Sequence, residues 1–77
     1  MNKKIEFGSH DYEVIKVGIF NLQVCSNCPP EEVDSLEMAV REFDPAGTTG
    51  NWHIEKEGKL APVICENGDR WHYVFSC

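Results

Sequence analysis

A proline-bounded segment in the middle of the chain restricts the fold most strongly. Pro29-Pro30 precedes this segment, and Asp44-Pro45-Ala46-Gly47 follows it. Proline is tolerated in the first turn of a helix, and the acidic residues that follow suit the positive end of the helix dipole. Apolar side chains then recur at the spacing of one helix face, at Val33, Leu36, Ala39, Val40 and Phe43. The sequence therefore predicts a helix over about residues 30 to 43.

Segments with the two-residue periodicity of β-strands lie on both sides of this helix. Before it, residues 17 to 25 alternate between apolar and polar side chains, which predicts a strand with one buried face. The inward side chains of that strand are expected to be Phe20, Leu22 and Val24. Residues 12 to 16 either begin the same strand or form a separate one, with Gly18 at a bend or bulge.

Three shorter strands are predicted after the helix, over residues 52 to 56, 62 to 65 and 71 to 77. Glu57-Gly58 is typical of a turn, and Asn67-Gly68 favours a two-residue hairpin because both residues accept positive φ. The last strand carries three aromatic residues on one face, at Trp71, Tyr73 and Phe75. This is more aromatic surface than one short helix need cover, and an apolar face left exposed would point to a homodimer.

These elements predict an α+β fold, in which the helix of residues 30 to 43 packs on one face of a small antiparallel sheet. The predicted element order is β(β)-α-β-β-β, because the segment before the helix is interpreted as one strand or two. A chain of 77 residues has room for one modest core, so residues 1 to 77 are expected to form a single domain. Residues 1 to 10 carry the weakest signal and are interpreted as a loosely ordered segment or a weak first strand.

Acidic residues are concentrated in the predicted helix. The chain has 13 acidic and 7 basic residues, a net charge of −6, and six of those acids lie between residues 31 and 44 beside a single arginine. Two interpretations are open: a face that only keeps the domain soluble, or a surface that docks on a basic protein partner. The residues predicted to bind such a partner are Glu31, Glu32, Asp34, Glu37 and Glu42.

The same charge balance disfavours direct binding to nucleic acid, which requires Lys and Arg to neutralise phosphates. No apolar run approaches the ~20 residues that cross a bilayer, and the first residues lack a signal-peptide core. A cytoplasmic protein without membrane contact is therefore expected.

Four cysteines invite a zinc site, with Cys25 and Cys28 forming a CxxC pair and Cys65 and Cys77 supplying the other ligands. The predicted hairpin places Cys65 opposite Arg70, so that Cys77 lies roughly 23 Å farther along the strand. Ligands of one zinc ion must lie within about 4 Å of each other. No cofactor is therefore expected, and a zinc-stabilised structural module is kept as an alternative function.

The favoured interpretation of Cys25 and Cys65 is two small buried apolar residues, and a disulfide would require an oxidising environment. Cys28 lies at the helix start, where the dipole could lower its pKa, so a thiol-active protein is a second alternative. His10, His53 and His72 are scattered, and no nucleophile has a base at a recognisable motif spacing. The chain is therefore not expected to be an enzyme.

Several short motifs occur in a familiar order. They are Val24-Cys25, the acidic helix, Asp44-Pro45-Ala46-Gly47-Thr48, Trp52-His53-Ile54, Lys56-Glu57-Gly58, Pro62-Val63-Ile64-Cys65, and a last strand with His72 and Cys77. In this order the chain resembles, over residues 20 to 77, a family of small uncharacterised proteins of tailed bacteriophages and prophages. Cys28 departs from the family pattern. The resemblance implies no activity and transfers no functional residue.

Taken together, these features predict a small phage or prophage accessory protein that binds a host or phage protein with a basic surface. The expected action is to inhibit or redirect host machinery, including defence systems, in the cytoplasm of the bacterial host. The phage part of this hypothesis follows from the resemblance, and the binding part follows from the acidic helix.

Overall fold

The structure is a computed structural model that describes residues 3–43, 52–60, 62–65 and 70–77. Three strands come first: β1 (Lys3–Phe7), β2 (His10–Val17) and β3 (Asn21–Ser26). A 3-10 turn (Pro30–Glu32) leads into helix α1 (Val33–Phe43). Strand β4 (His53–Leu60), a single-turn helix α2 (Pro62–Cys65) and strand β5 (Trp71–Ser76) follow. The central helical segment therefore lies where its apolar spacing predicted it.

The five strands of the described residues form one antiparallel sheet in the order β1-β2-β3-β5-β4. Strand β5 pairs with β3 on one side and with β4 on the other, and both pairings are antiparallel. Strands β3 and β4 consequently run parallel to each other with β5 between them. The chain must cross the sheet to join them, and α1 lies in that crossover.

The predicted α+β fold, with element order β(β)-α-β-β-β, is wrong. A five-stranded antiparallel sheet dominates the described residues, with one helix of 11 residues, and three strands rather than one or two precede that helix. Residues 62 to 65 form the short helix α2 instead of a strand. The Asn67-Gly68 hairpin lies outside the described residues.

The turn predicted at Glu57-Gly58 is also absent, because β4 continues through these residues as a bulged strand paired with β5. Gly58 makes this path sterically accessible. A Cβ atom at Gly58 would lie 2.5 Å from the ring of Tyr73, so only glycine lets the two strands approach this closely. The Glu-Gly pair therefore marks a close approach within a strand.

Phe20 does not point into the core. The N–H of Gly18 donates to the carbonyl of Asn21 at 2.8 Å and closes a tight turn between β2 and β3. Strand β3 therefore begins at Asn21, and the side chain of Phe20 is 68% exposed in that turn. Leu22 and Val24 are fully buried, as their alternation predicted.

The core lies between α1 and one face of the sheet, which we call the inner face. Leu36, Ala39 and Val40 of α1 are buried in one cluster with Trp52 and with inner-face side chains that include Tyr12, Leu22, Val24, Tyr73 and Phe75. Trp71 packs at the margin of this cluster. The aromatic face of β5 is thus covered within a single chain, so the surface that suggested a homodimer is not available.

Cys25 lies on the opposite, outer face of the sheet, yet it is fully buried. It is joined to Cys65 of α2 by a disulfide with a Cα–Cα distance of 5.8 Å. The bond holds α2 over this part of the outer face. The interpretation of Cys25 and Cys65 as reduced apolar residues is therefore wrong: only the fold brings together two cysteines that are 40 residues apart.

Removing this disulfide is expected to destabilise the protein. Closing a loop of 40 residues stabilises a folded chain by about 4 kcal/mol in the chain-entropy treatment, and measured losses are typically about 2–4 kcal/mol. The double variant Cys25→Ala/Cys65→Ala should show that loss in urea unfolding. Cys77→Ser is the matched control because Cys77 is a free, exposed cysteine. An unchanged unfolding midpoint in the double variant would show that the bond does not constrain the chain.

An ion cluster ties the first strands to the start of β5. The Arg70 guanidinium lies 2.7 Å from one carboxylate oxygen of Asp11, and the Lys4 ammonium lies 3.1 Å from the other. Arg70 also donates to the carbonyl of Cys25 at 2.8 Å. Burial alone would raise the pKa of Asp11, but the hydrogen bonds and charges of Arg70 and Lys4 outweigh it and lower this pKa.

The lowered pKa of Asp11 predicts a contribution to acid stability. A carboxyl group with a lower pKa in the folded than in the unfolded chain stabilises the fold above its unfolded value, near 3.9. That stability is lost as the pH falls through the folded value. Asp11→Asn should therefore reduce the free energy of unfolding by about 2 kcal/mol at pH 7, and this difference should shrink below about pH 4.

Asp34→Asn, at an exposed position of α1, provides the control for this experiment. Chemical denaturation of both variants and the wild type at several pH values measures the effect. If the difference in free energy of unfolding between Asp11→Asn and the wild type did not change with pH, the ion cluster would not be the cause of that difference.

Candidate functional site

The residues predicted to bind a partner lie on the 3-10 turn and α1, on the side away from the sheet. Leu36, Ala39 and Val40 face the core, so the helix turns its other side to solvent. Four of the five predicted acids are exposed, and we call this surface the acidic helix face: Glu31, Glu32, Asp34 and Glu42. Local sequence produces this arrangement, because the apolar stripe and the acids occupy opposite sides of one helix.

Glu37, the fifth predicted residue, has a structural role. Its carboxylate accepts a hydrogen bond from the N–H of Ile54 at 3.0 Å and lies 3.0 Å from the Arg41 guanidinium. Arg41 in turn donates to the carbonyl of Trp52 at 2.7 Å. This Glu37–Arg41 pair attaches α1 to the start of β4. Glu37 therefore belongs to the scaffold beneath the acidic helix face.

Met38 lies among the exposed carboxylates. Asp34, Met38 and Glu42 follow one another at four-residue spacing and so form a line along the helix surface. The side chain of Met38 is 66% exposed, and Phe43 at the end of the helix is 49% exposed. Methionine and aromatic side chains are enriched in protein interfaces relative to the rest of the surface. An apolar side chain flanked by charges is thus placed as an interface anchor would be.

Cys28 is buried at the start of the helical segment. Its thiol donates to the carbonyl of Glu32 at 3.2 Å, and its carbonyl accepts a hydrogen bond from the Tyr73 hydroxyl. Burial raises the pKa of Cys28, and the nearby Glu32 carboxylate raises it further. The expected lowering of this pKa by the helix dipole is therefore wrong, because the sulfur lies in the protein interior against a backbone carbonyl and beside a carboxylate.

The four cysteines do not converge on one point. Cys25 and Cys65 are joined to each other, Cys28 is buried beneath the helix start, and Cys77 is free and exposed. In the part of the chain that the structure describes, no three His, Cys, Asp or Glu side chains are grouped so that they could hold a metal ion. The histidines are apart as well: His10 contacts Glu32, His53 contacts Ser76, and His72 contacts Gln23.

Thiol labelling should separate the two free cysteines. Cys77 is exposed and should react rapidly with a thiol-specific reagent at pH 7, whereas Cys28 should stay unmodified because it is buried and its pKa is raised. Mass spectrometry of the labelled native protein measures both sites, and labelling in denaturant supplies the control. Rapid modification of Cys28 in native Cys77→Ser would contradict this expectation.

A second polar surface lies on the outer face of the sheet. Residues of β3, β5 and β4 line a groove of about 520 Å³, which we call the lysine groove: Gln23, His72, Val74, Lys56 and Lys59. No local pattern in the sequence predicts this groove. In a regular strand, residues 56 and 59 would point to opposite faces, and only the irregular pairing of β4 with β5 places both lysines on the outer face.

None of the helices in the described ranges combines the length and the apolar character that a bilayer crossing requires.

Comparison with known proteins adds no family assignment. No protein-family model, no curated protein and no solved structure matches this chain.

Proposed function

We propose that this protein is a non-enzymatic binding protein that docks its acidic helix face on a basic surface of a protein partner. The observation that carries the proposal is the line of Asp34, Met38 and Glu42 along the exposed side of α1. It combines an exposed apolar side chain with flanking carboxylates, to which Glu31 and Glu32 add further negative charge.

The division of roles within the helix supports this proposal. Glu37 and Arg41 attach α1 to the start of β4 through hydrogen bonds, so the helix is fixed on the side that faces the sheet. The four acids of the acidic helix face are exposed. A rigid helix surface loses little conformational freedom on binding, which favours affinity. Its charges accelerate association with a partner of opposite sign and suppress acidic partners.

The resemblance to small proteins of tailed bacteriophages and prophages supports a class of partner. On that basis we place the protein in an infected or lysogenic bacterial cell, where it binds a host or phage protein and inhibits or redirects host machinery. Cytoplasmic thiols are usually kept reduced. Reduced Cys25 and Cys65 in protein isolated from the host would therefore agree with the proposed compartment, and an intact disulfide would argue against it.

The proposal predicts that binding depends on the line of residues along α1. The partner is identified by affinity capture from host lysate, purified, and its binding kinetics are measured for each variant. Asp34→Asn/Glu42→Gln should lower the association rate roughly tenfold at low salt. Met38→Ser should increase the dissociation rate, because it removes the apolar contact.

The matched control is Glu6→Gln/Glu55→Gln, which removes the same charge from exposed strand positions. This control should bind like the wild type apart from a small long-range effect. Equal weakening by both double variants would mean that only net charge matters. Unchanged binding by Asp34→Asn/Glu42→Gln and by Met38→Ser would assign the contact to another surface.

A further inference from the structure

The lysine groove is formed by two neighbouring rows of residues that run across the outer face. In the first row His72 of β5 lies between Cys25 of β3 and Lys59 of β4. In the second row Val74 of β5 lies between Gln23 of β3 and Lys56 of β4. His72 and Val74 are two residues apart, so the two lysines that face them are separated by about 7 Å along the strand.

Bulges in β4 bring the lysines together. Regular alternation from the inward residue Ile54 would direct Lys56 inward as well. At the first bulge, β4 uses two residues, from Ile54 to Lys56, to pass one residue of β5. At the second bulge, β4 uses three residues, from Lys56 to Lys59, to pass two residues of β5. Both ammonium groups consequently lie on the outer face. Bulges commonly re-aim side chains beside functional sites.

A third lysine lies next to Gln23 by strand register, on the other side of the groove. The pairing of β2 with β3 also shifts, between Val14 and Lys16, and this shift makes Lys16 the partner of Gln23. Lys16 therefore extends the second row, which reads Lys16, Gln23, Val74 and Lys56 across four strands. In a chain with a net charge of −6, two of the seven basic residues line this groove, and Lys16 lies one strand beyond Gln23.

The groove offers hydrogen-bond donors to a ligand. The carboxamide oxygen of Gln23 accepts a hydrogen bond from the Nε2 atom of His72 at 3.0 Å, so the amide nitrogen of Gln23 is left with its donor hydrogens. Lys56 and Lys59 contribute ammonium groups, and Val74 contributes an apolar patch. Of the described residues that line the groove, none is a carboxylate. By register the backbone of Glu13 lies two strands away from that of His72, at about 10 Å.

The local charge acts on His72. Burial lowers the pKa of this imidazole, and the positive charge of Lys56 lowers it further. An additional cation is therefore disfavoured at this position, whereas an anion would relieve the repulsion.

We propose that the lysine groove binds a small phosphate-bearing molecule of about nucleotide size. Phosphate oxygens are acceptors that match the two ammonium groups and the Gln23 amide, and Val74 can contact an apolar or planar part of the same ligand. A volume of about 520 Å³ lies within the range of small-molecule sites. An extended polyanion fits less well, because a long nucleic acid would meet the excess negative charge of the domain. This proposal is independent of the acidic helix face, which lies on the other side of the sheet.

The test uses pyrophosphate, AMP and adenosine as probes of the purified protein at pH 7. Nuclear magnetic resonance follows the imidazole signals of His72, with His10 as an internal reference on the opposite side of the sheet. Pyrophosphate and AMP should shift the His72 signals saturably and leave His10 unchanged, whereas adenosine should have little effect. Lys56→Gln/Lys59→Gln should weaken binding about tenfold or more.

The matched controls are single variants: Lys3→Gln removes one charge from the edge strand β1 and should retain binding, whereas Lys56→Gln removes one charge from the groove and should weaken it. The proposal is overturned if neither pyrophosphate nor AMP shifts His72, or if adenosine binds as tightly as AMP. Equal losses in Lys3→Gln and Lys56→Gln would also overturn it, since binding would then depend on net charge alone. A short single-stranded oligonucleotide that binds more tightly than AMP, with a steep salt dependence, would assign the groove to nucleic acid instead.

Discussion

Strand β5 pairs along both of its edges, and the rest of the molecule depends on that position. Its insertion between β3 and β4 makes those two strands parallel and forces α1 to cross the sheet. On the inner face its residues Tyr73 and Phe75 are fully buried in the core. On the outer face its residues His72 and Val74 form the centre of the lysine groove. One strand thus supports both the core and the polar surface behind it.

The sheet separates two surfaces of opposite character. The acidic helix face lies over the inner side of the sheet, and the lysine groove lies on the outer side. Helix α2, which the Cys25–Cys65 disulfide attaches to the outer side, lies next to this groove. The sheet and the core lie between the described acids of the helix face and the lysines of the groove, so these groups form no ion pairs with each other. The two proposed binding events therefore use separate surfaces of the domain.

Much of the helix could be predicted, because its signals are local. Flanking prolines and the spacing of Leu36, Ala39 and Val40 define both its limits and its buried side. The acids of the acidic helix face follow from the same pattern, since they occupy the remaining side. Glu37 could not be separated from them, because its contact with the N–H of Ile54 joins residues 17 positions apart. The mainly β character could not be predicted, because pairing between distant strands overrides local preference. Strand β4 is an example, since it continues through a Glu-Gly pair that is typical of turns.

The sequence by itself determined a short acidic helix, strand-forming segments on both sides of it, and the aromatic side of the last strand, because each depends on residues close together in the chain. Only the tertiary structure decided which cysteines pair, where β5 inserts, and which side of the sheet the lysines occupy. Cys25 and Cys65 are 40 residues apart, and their proximity follows from the position of α2 over the outer face. Lys56 and Lys59 share a face because register shifts against β5 break the alternation of β4. Strand register depends on the partner strand, and no local pattern within β4 contains that information.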